Sequence, residues 1–212
     1  MRFRTPFPLV LILFVSLFVP QATSCQDDFV EPWERRLNAI QPPEKVMDAM
    51  GVEPGMVVGE VGAGTGRYTI WLAKRVGEDG LIYANDISRK SLDHLEERCE
   101  RLGIGNVKII MGGVIEPGFP ENSLDIAFMI NVYHHLDDRK GLLRNLIPAL
   151  KPGGILAIVE NDPAKSGDSV HSATPQDDFA KQVGEAGFEV VRVETFLVRD
   201  NLYILRVRKP SE

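Results

Sequence analysis

The sequence predicts an α/β fold in which helices cover both faces of a mostly parallel sheet and the C-terminal strand runs antiparallel. Three observations carry this expectation. From residue 44 to 160, short apolar runs rich in Val, Ile and Leu alternate with segments of helical periodicity, the pattern of a parallel sheet buried on both sides. Glycines stand where helices must stop, at Gly77, Gly80, Gly103, Gly105, Gly153, Gly154 and Gly187. Two β-rich runs at the C-terminus are joined by too few residues for a crossover, which permits only antiparallel pairing.

The 212 residues suit one domain, and at 44% hydrophobic they can bury a core without disulfides or metal staples. A formal net charge of −6 repels a phosphate backbone, so nucleic acid is not an expected partner. Residues 1–24 differ in composition from the rest. Arg2 and Arg4 precede an apolar run over 7–19, broken only by Pro8 and Ser16, and small residues follow. This is the layout of a secretory signal peptide, and the run is shorter than the roughly 20 residues of a spanning helix. Ala22-Thr23-Ser24 before Cys25 resemble the lipobox of bacterial lipoproteins, with Ala22 in place of the usual Leu. The expectation is an exported or membrane-anchored chain, tethered through a lipidated Cys25, with an ordinary cysteine beside a signal-peptidase site as the alternative.

Residues 25–41 carry mixed charge, one Trp and little periodicity, and read as a linker or entry segment. Pro42-Pro43 then opens a short helix to about 50. Strands are expected over 57–61, 81–85, 107–111, 124–130 and 155–160, with helices at about 67–76, 88–102 and 139–150 between them. A helix over 175–186 and strands over 188–197 and 201–208 complete the chain. Cys99 shares one helical face with Leu92, Leu95 and Leu102, which makes it a small buried hydrophobe rather than a reactive thiol. His171, in a stretch rich in Ser, Asp and Gly, reads as a surface loop residue.

The strongest local signal is Glu60-Val-Gly62-Ala63-Gly64-Thr-Gly66-Arg67, a buried strand passing through a glycine-rich turn into a helix. Such a turn needs residues that tolerate positive φ and let a ligand approach the backbone. In a dinucleotide-binding turn the third glycine of G-x-G-x-x-G would fall at position 67, which is Arg. The spacing is instead E-x-G-x-G-x-G, with Glu60 where an acidic group engages an ammonium rather than a phosphate. Asp86 follows 20 residues beyond Gly66, at the end of the next strand. Two carboxylate oxygens suit two vicinal hydroxyls; the structural alternative for Asp86 is a capping carboxylate at the following helix.

These residues resemble motif I of class I S-adenosylmethionine-dependent methyltransferases, and the likeness runs from about residue 44 to the C-terminus. The resemblance implies a three-layer Rossmann-like fold over 42–212 with a seven-stranded sheet, and S-adenosyl-L-methionine as cofactor. It implies a cofactor site of Glu60, Gly62, Ala63, Gly64, Gly66, Asp86, Ile87, Gly113, Val114 and Asn131, with Asp86 on the ribose hydroxyls and Asn131 against the methionine moiety. Met111-Gly112-Gly113-Val114 lacks the Asp that the family usually sets against the adenine, leaving backbone groups of Gly113 and Val114 to face it. The run Asn131-Val-Tyr133-His134-His135-Leu136 is common in small-molecule members, including relatives of the quinone-ring methyltransferases.

The two histidines are the candidate catalytic residues, since methyl transfer needs a general base only when the acceptor must lose a proton. Tyr133, His134 and Glu160 are expected toward the acceptor. No acidic or cysteine partner stands at ligand spacing from His134 and His135, so no metal is expected. The residues after the fourth strand do not form the N-P-P-Y tetrad of adenine or glutamine methylation, and no Pro-Cys nucleophile is present for cytosine C5. A small-molecule or lipidic acceptor remains. The competing readings are a nicotinamide-dependent oxidoreductase, opposed by Arg67 and the antiparallel C-terminal pair, and a noncatalytic methyltransferase-like binding protein.

Overall fold

The computed structural model describes residues 29–166 and 174–209. The expected signal peptide, Cys25 and His171 lie outside the described residues. In chain order the elements are α1 (Glu34–Ile40), α2 (Pro43–Met50), β1 (Val57–Val61), α3 (Thr69–Val76), β2 (Leu81–Asp86), α4 (Arg89–Leu102), β3 (Val107–Met111), β4 (Leu124–Ile130), α5 (Arg139–Leu146), β5 (Leu150–Asn161), α6 (Pro163–Ser166), α7 (Gln176–Glu185), β6 (Phe188–Glu194) and β7 (Asp200–Val207). Among the described residues these strands form one seven-stranded sheet in the order β3-β2-β1-β4-β5-β7-β6. The first five are mutually parallel, and β7 runs antiparallel to both of its neighbours.

The strands are apolar on both sides because both sides are covered. Along β4, Ile126, Phe128 and Ile130 join one core with Val46, Met47, Leu72 and Val76 from α2 and α3. Ala127 and Met129 point the other way, into a core with Leu142, Leu143, Leu146, Phe179 and Val183 from α5 and α7. The same alternation divides Ala157 and Val159 from Leu156 and Ile158 on β5, and Leu202 and Ile204 from Tyr203 and Leu205 on β7. A third cluster sets Cys99, only 7% exposed, beside Leu95, Ile70 and Phe29. Burial pushes its thiol up to about 11, so it is inert at neutral pH.

Three boundaries differ from expectation for identifiable reasons. The expected helix over 139–150 stops at Leu146 and tightens into a 3-10 turn at Ile147–Ala149, where Pro148 lacks the amide an α-helix needs. Strand β5 starts at Leu150, and Lys151 to Gly154 form an irregularity before the register with β4 resumes at Ile155. The largest correction concerns the expected linker, of which residues 29–41 are described. Phe29 is buried, α1 follows, and Glu34 and Gln41 are almost fully buried. This stretch is packed by polar contacts, which leave no apolar period in the sequence.

The crossover from β3, at one edge, to β4, on the far side of β1, reverses the strand order between β1 and β4. In open α/β sheets such a switch point, at the carboxyl ends of the strands, is where ligands bind. The loops after β1, β2, β3, β4 and β5 all converge there.

Candidate active site

The turn after β1 is built from glycines for three separate reasons. Gly62, Gly64 and Gly66 all have positive φ, at 71°, 56° and 90°. A side chain on Gly62 would strike Val132, and one on Gly66 would strike Leu95, whereas the space beside Gly64 is open. Gly62 and Gly66 therefore permit close packing, and Gly64 keeps its backbone accessible. The loop is fastened by Asp86, whose Oδ2 accepts from the Gly64 amide at 2.8 Å while its Oδ1 accepts from the Ser88 amide at 2.8 Å. Ser88 caps α4 by accepting from Ser91. The cap of α4 is thus Ser88 and not Asp86, and each Asp86 carboxylate oxygen spends one lone pair on the backbone and keeps another.

A cavity of about 340 Å³ opens beside this loop, lined among others by Gly62, Asn85, Asp86, Ile87, Gly113, Val114, Asn131, His135 and Asp137. Among the described residues its charged lining is two aspartates, and no Lys or Arg lines it. That lining suits a ligand with cationic groups and hydroxyls, and it offers nothing to a pyrophosphate beyond backbone amides. Asn85 was not legible in the sequence. It is buried, bonds the Pro117 carbonyl at 2.8 Å, and forms part of the wall.

A second cavity, of about 220 Å³, lies on the other side of Asn131 and is lined by Leu37, Ile40, Gln41, Asn131, His134, Asn161, Arg199 and Asp200. Asn131 belongs to both walls. It holds the left-handed conformation at φ 57°, rare for a residue with a side chain and tolerated best by Asn and Asp. Its amide pairs reciprocally with Gln41, Gln41 Nε2 donating to Asn131 Oδ1 at 2.9 Å and Asn131 Nδ2 donating to Gln41 Oε1 at 3.1 Å. Gln41 also donates to Asp200 at 3.0 Å and accepts from Arg67 at 2.8 Å. Gln41, Arg67 and Asp200 thus form a buried polar lattice that fixes the Asn131 side chain between the cavities. Nothing in the sequence flags Gln41, since an isolated Gln before Pro-Pro has no periodic or motif signal.

His134 faces the second cavity and His135 the first, although their ring centroids are only 4.1 Å apart. Nδ1 of His134 lies 3.1 Å from both carboxylate oxygens of Glu160, and both side chains are buried. A carboxylate only accepts, so in the neutral ring this contact places the proton on Nδ1 and leaves Nε2 as the acceptor. His135, exposed, has no such partner among the described residues, and its position separates it from the role of a base in the second cavity. Tyr133, expected toward the acceptor, is fully buried on the opposite side of the sheet, its hydroxyl donating to Gln182 at 2.8 Å.

Of the cofactor residues expected from sequence, Gly62, Asp86, Ile87, Gly113, Val114 and Asn131 line the first cavity, and Gly64 adjoins it through Asp86. Glu60, Ala63 and Gly66 do not line it. Ala63 and Gly66 face the helix side of the turn, where Ala63 packs with Ile70 and Leu95. Glu60 points under the loop toward α3 and accepts from the Thr69 hydroxyl at 2.6 Å. It shares a face of β1 with Val58, two residues back, so the pleat itself turns it away from the cavity.

Burial raises the Glu60 carboxyl to about 7 from its ordinary 4.5, with the Thr69 hydrogen bond and Arg67 opposing and Asp86 adding to the rise. A raised value in the fold means that the folded chain favours the protonated form. Stability from this group is full below pH 4.5 and is lost as pH rises to about 7, a change of about 3 kcal/mol in all. Glu60→Gln, neutral at every pH, is expected to be more stable than the parent chain at pH 8 and not at pH 4. Urea denaturation at the two values checks this, and an equal difference at both would contradict it.

Residues 59–158 match the protein family described as "Methyltransferase domain". A "Demethylmenaquinone methyltransferase" of Geobacillus kaustophilus is 33% identical over 117 residues, covering 55% of this chain and 50% of that protein. A SAM-dependent methyltransferase of known structure from Aquifex aeolicus superposes with a TM-score of 0.75 at 26% identity, covering 82% of this chain and 93% of that one. The match to this methyltransferase superfamily covers residues 59–158, slightly under half of the chain. The fold of the chain is the Rossmann-like fold of that superfamily, and its cofactor is S-adenosyl-L-methionine. The chain spans about half the length of the curated relatives it matches.

The residues around the first cavity fit that cofactor. The acidic first cavity suits a sulfonium and an ammonium, and Asp86 keeps a lone pair on each oxygen that a pair of hydroxyls would fill. The missing Asp at the end of β3 is consistent with an open wall, where Gly113 and Val114 are exposed.

Proposed function

We propose that the protein transfers a methyl group from S-adenosyl-L-methionine to a small-molecule or lipidic acceptor seated in the second cavity, with His134 as general base. The observation that carries this reading is Asn131, whose side chain forms the shared wall of the two cavities. When bound, the cofactor supplies an electrophilic methyl group. Asp86 would hold its ribose, Gly113 and Val114 its adenine, and Asn131 its methionine end. Glu160 holds the His134 ring with Nε2 directed away, ready to accept a proton from an acceptor hydroxyl. Leu37 and Ile40 of α1 supply the apolar part of the second cavity and shield it from water.

The quinone ring named in the relatives makes a ring acceptor the first class to test. The signal-like residues 1–24 and Cys25 support placing the enzyme at a membrane, where a lipidic acceptor is available; no described helix is long and apolar enough to cross one. Radiolabelled methyl transfer to a panel of hydroxylated rings and membrane lipid extracts tests the reading. Incorporation that needs His134 supports it, and absence of any incorporation by cofactor-saturated protein contradicts it.

A further inference from the structure

We propose that the rim of the second cavity docks on an anionic lipid surface, with α1 and the loop between β6 and β7 set into the headgroup layer. The docking surface is read from exposure and charge alone; that it delivers a lipidic acceptor to the second cavity rests on the proposed reading of that cavity. Several large apolar side chains are exposed among the described residues, and most have a local reason. Ile87 and Val114 line the first cavity, while Met111 and Val191 lie on the two edge strands, β3 and β6. Trp33, Phe196 and Val198, between 43% and 67% exposed, line neither cavity. They stand on two segments that flank the second one, since Leu37 and Ile40 of α1 and Arg199 of the β6–β7 loop line it. Pairing of Asn161 with Asp200 sets that loop at the carboxyl end of β5.

The loop is built to present its apolar side chains. Leu197 is buried in the core, and Phe196 and Val198 on either side of it are exposed. Nζ of Lys165 donates to the carbonyls of Thr195, Leu197 and Asp200 at 2.8, 3.0 and 2.8 Å, and three acceptors on one ammonium hold the loop in this shape. On α1, Trp33 and Arg36 are a turn apart on the exposed side, while Leu37 and Ile40 face the cavity. The chain has a net charge of −6, yet among the described residues the exposed charges of 33–40 and 195–199 are Arg35, Arg36 and Arg199, all positive, because Glu34 is buried against Arg98. An amphipathic ring beside cations suits the boundary where lipid chains meet phosphates. The exposed Asp137 and Asp138 lead instead into α5, on the opposite face of the sheet from α3. Where the chain enters the fold agrees with this orientation. Residues 1–28 precede Phe29, which packs on Trp71 of α3 just before α1. Cys25, the expected tether, is four residues from Phe29, a reach of at most about 14 Å. A lipid on Cys25 therefore brings the α1 side of the fold to the bilayer.

The test is co-sedimentation of the full chain with vesicles of phosphatidylcholine, with and without phosphatidylglycerol, together with quenching of tryptophan emission by acyl-brominated phosphatidylcholine. Tighter attachment to the anionic vesicles is expected, with quenching in the parent chain that Trp33→Phe removes. Each cation near an anionic surface strengthens attachment by roughly fivefold, so Arg35→Glu combined with Arg36→Glu is expected to weaken it by about tenfold or more. Arg206→Glu, exposed on β7 toward the other end of the strands, is expected to leave it unchanged. Urea midpoints equal to the parent's report that the variants fold. Equal attachment to neutral and anionic vesicles, parent emission that brominated lipid does not quench, or a loss in Arg206→Glu as large as in the double variant would overturn the proposal. A dimer in vesicle-free solution that shields Trp33 would overturn it too, assigning this face to a second copy of the chain. S-adenosylhomocysteine titration of the same samples keeps the two readings apart, because its failure removes the methyltransferase reading and leaves the docking result to stand on its own.

Discussion

Replacing His134 with alanine is expected to slow methyl transfer by about 10² to 10⁴-fold, the range for removal of a positioned general base, while leaving S-adenosylhomocysteine affinity unchanged. His134 lines the second cavity and not the first, which is why binding and turnover should separate. Glu160→Gln is expected to fall between the parent and His134→Ala. The Gln amide can accept from Nδ1 or donate to it, so the tautomer is no longer imposed. Single-turnover measurement with labelled cofactor reads both effects. A His134→Ala enzyme with full turnover would leave positioning alone to account for the reaction, and an equal loss from His135→Ala would contradict the division of the two rings between the cavities.

The largest expected effect on stability comes from Arg98, which is 1% exposed in the middle of α4. Its guanidinium pairs with both oxygens of Glu34, at 2.6 and 2.9 Å, and donates to the carbonyls of Thr65 at 3.1 Å and Phe29 at 2.9 Å. One side chain thus ties the N-terminal segment and the glycine turn to α4. Arg98→Ala leaves Glu34 as a buried, unpaired charge and is expected to cost about 3 to 5 kcal/mol. Replacing both partners, Glu34→Leu with Arg98→Met, is expected to recover most of that loss, because desolvation of the pair offsets much of its attraction. Urea denaturation of the two single variants and the double variant forms the cycle. A cost under about 1 kcal/mol for Arg98→Ala would show that α1 is not held by this pair.

Arg98 also marks the limit of what the sequence discloses. The strands were legible because both faces of the sheet are covered, so Val57–Val61 and Leu124–Ile130 read as apolar runs, each interrupted by a single carboxylate, Glu60 and Asp125. The glycine turn was legible because positive φ restricts the residue type. Segment 29–41 was not, because Glu34 and Gln41 are buried by polar partners 64 and 90 residues away in sequence, Arg98 and Asn131. Long-range polar pairing leaves no periodic trace, and a buried Glu looks like a solvated one. The same applies within the site. The motif places Glu60 at the end of β1 and Gly66 in the turn, but whether each faces the first cavity or the helix behind depends on the pleat of β1 and on Leu95, which spacing does not encode.

If the first cavity holds S-adenosylmethionine, Asp86 is its ribose anchor. The most direct measurement is calorimetric titration of the full chain with S-adenosylmethionine, S-adenosylhomocysteine and NADH, beside Asp86→Ala. Loss of Asp86 removes charge-assisted hydrogen bonds of about 1 to 3 kcal/mol, a weakening of roughly 5 to 150-fold. The expected result is binding of the first two ligands, weakened to that extent in the variant, and none of NADH. Binding of NADH alone, or an affinity for S-adenosylmethionine that Asp86→Ala leaves unchanged, would contradict it.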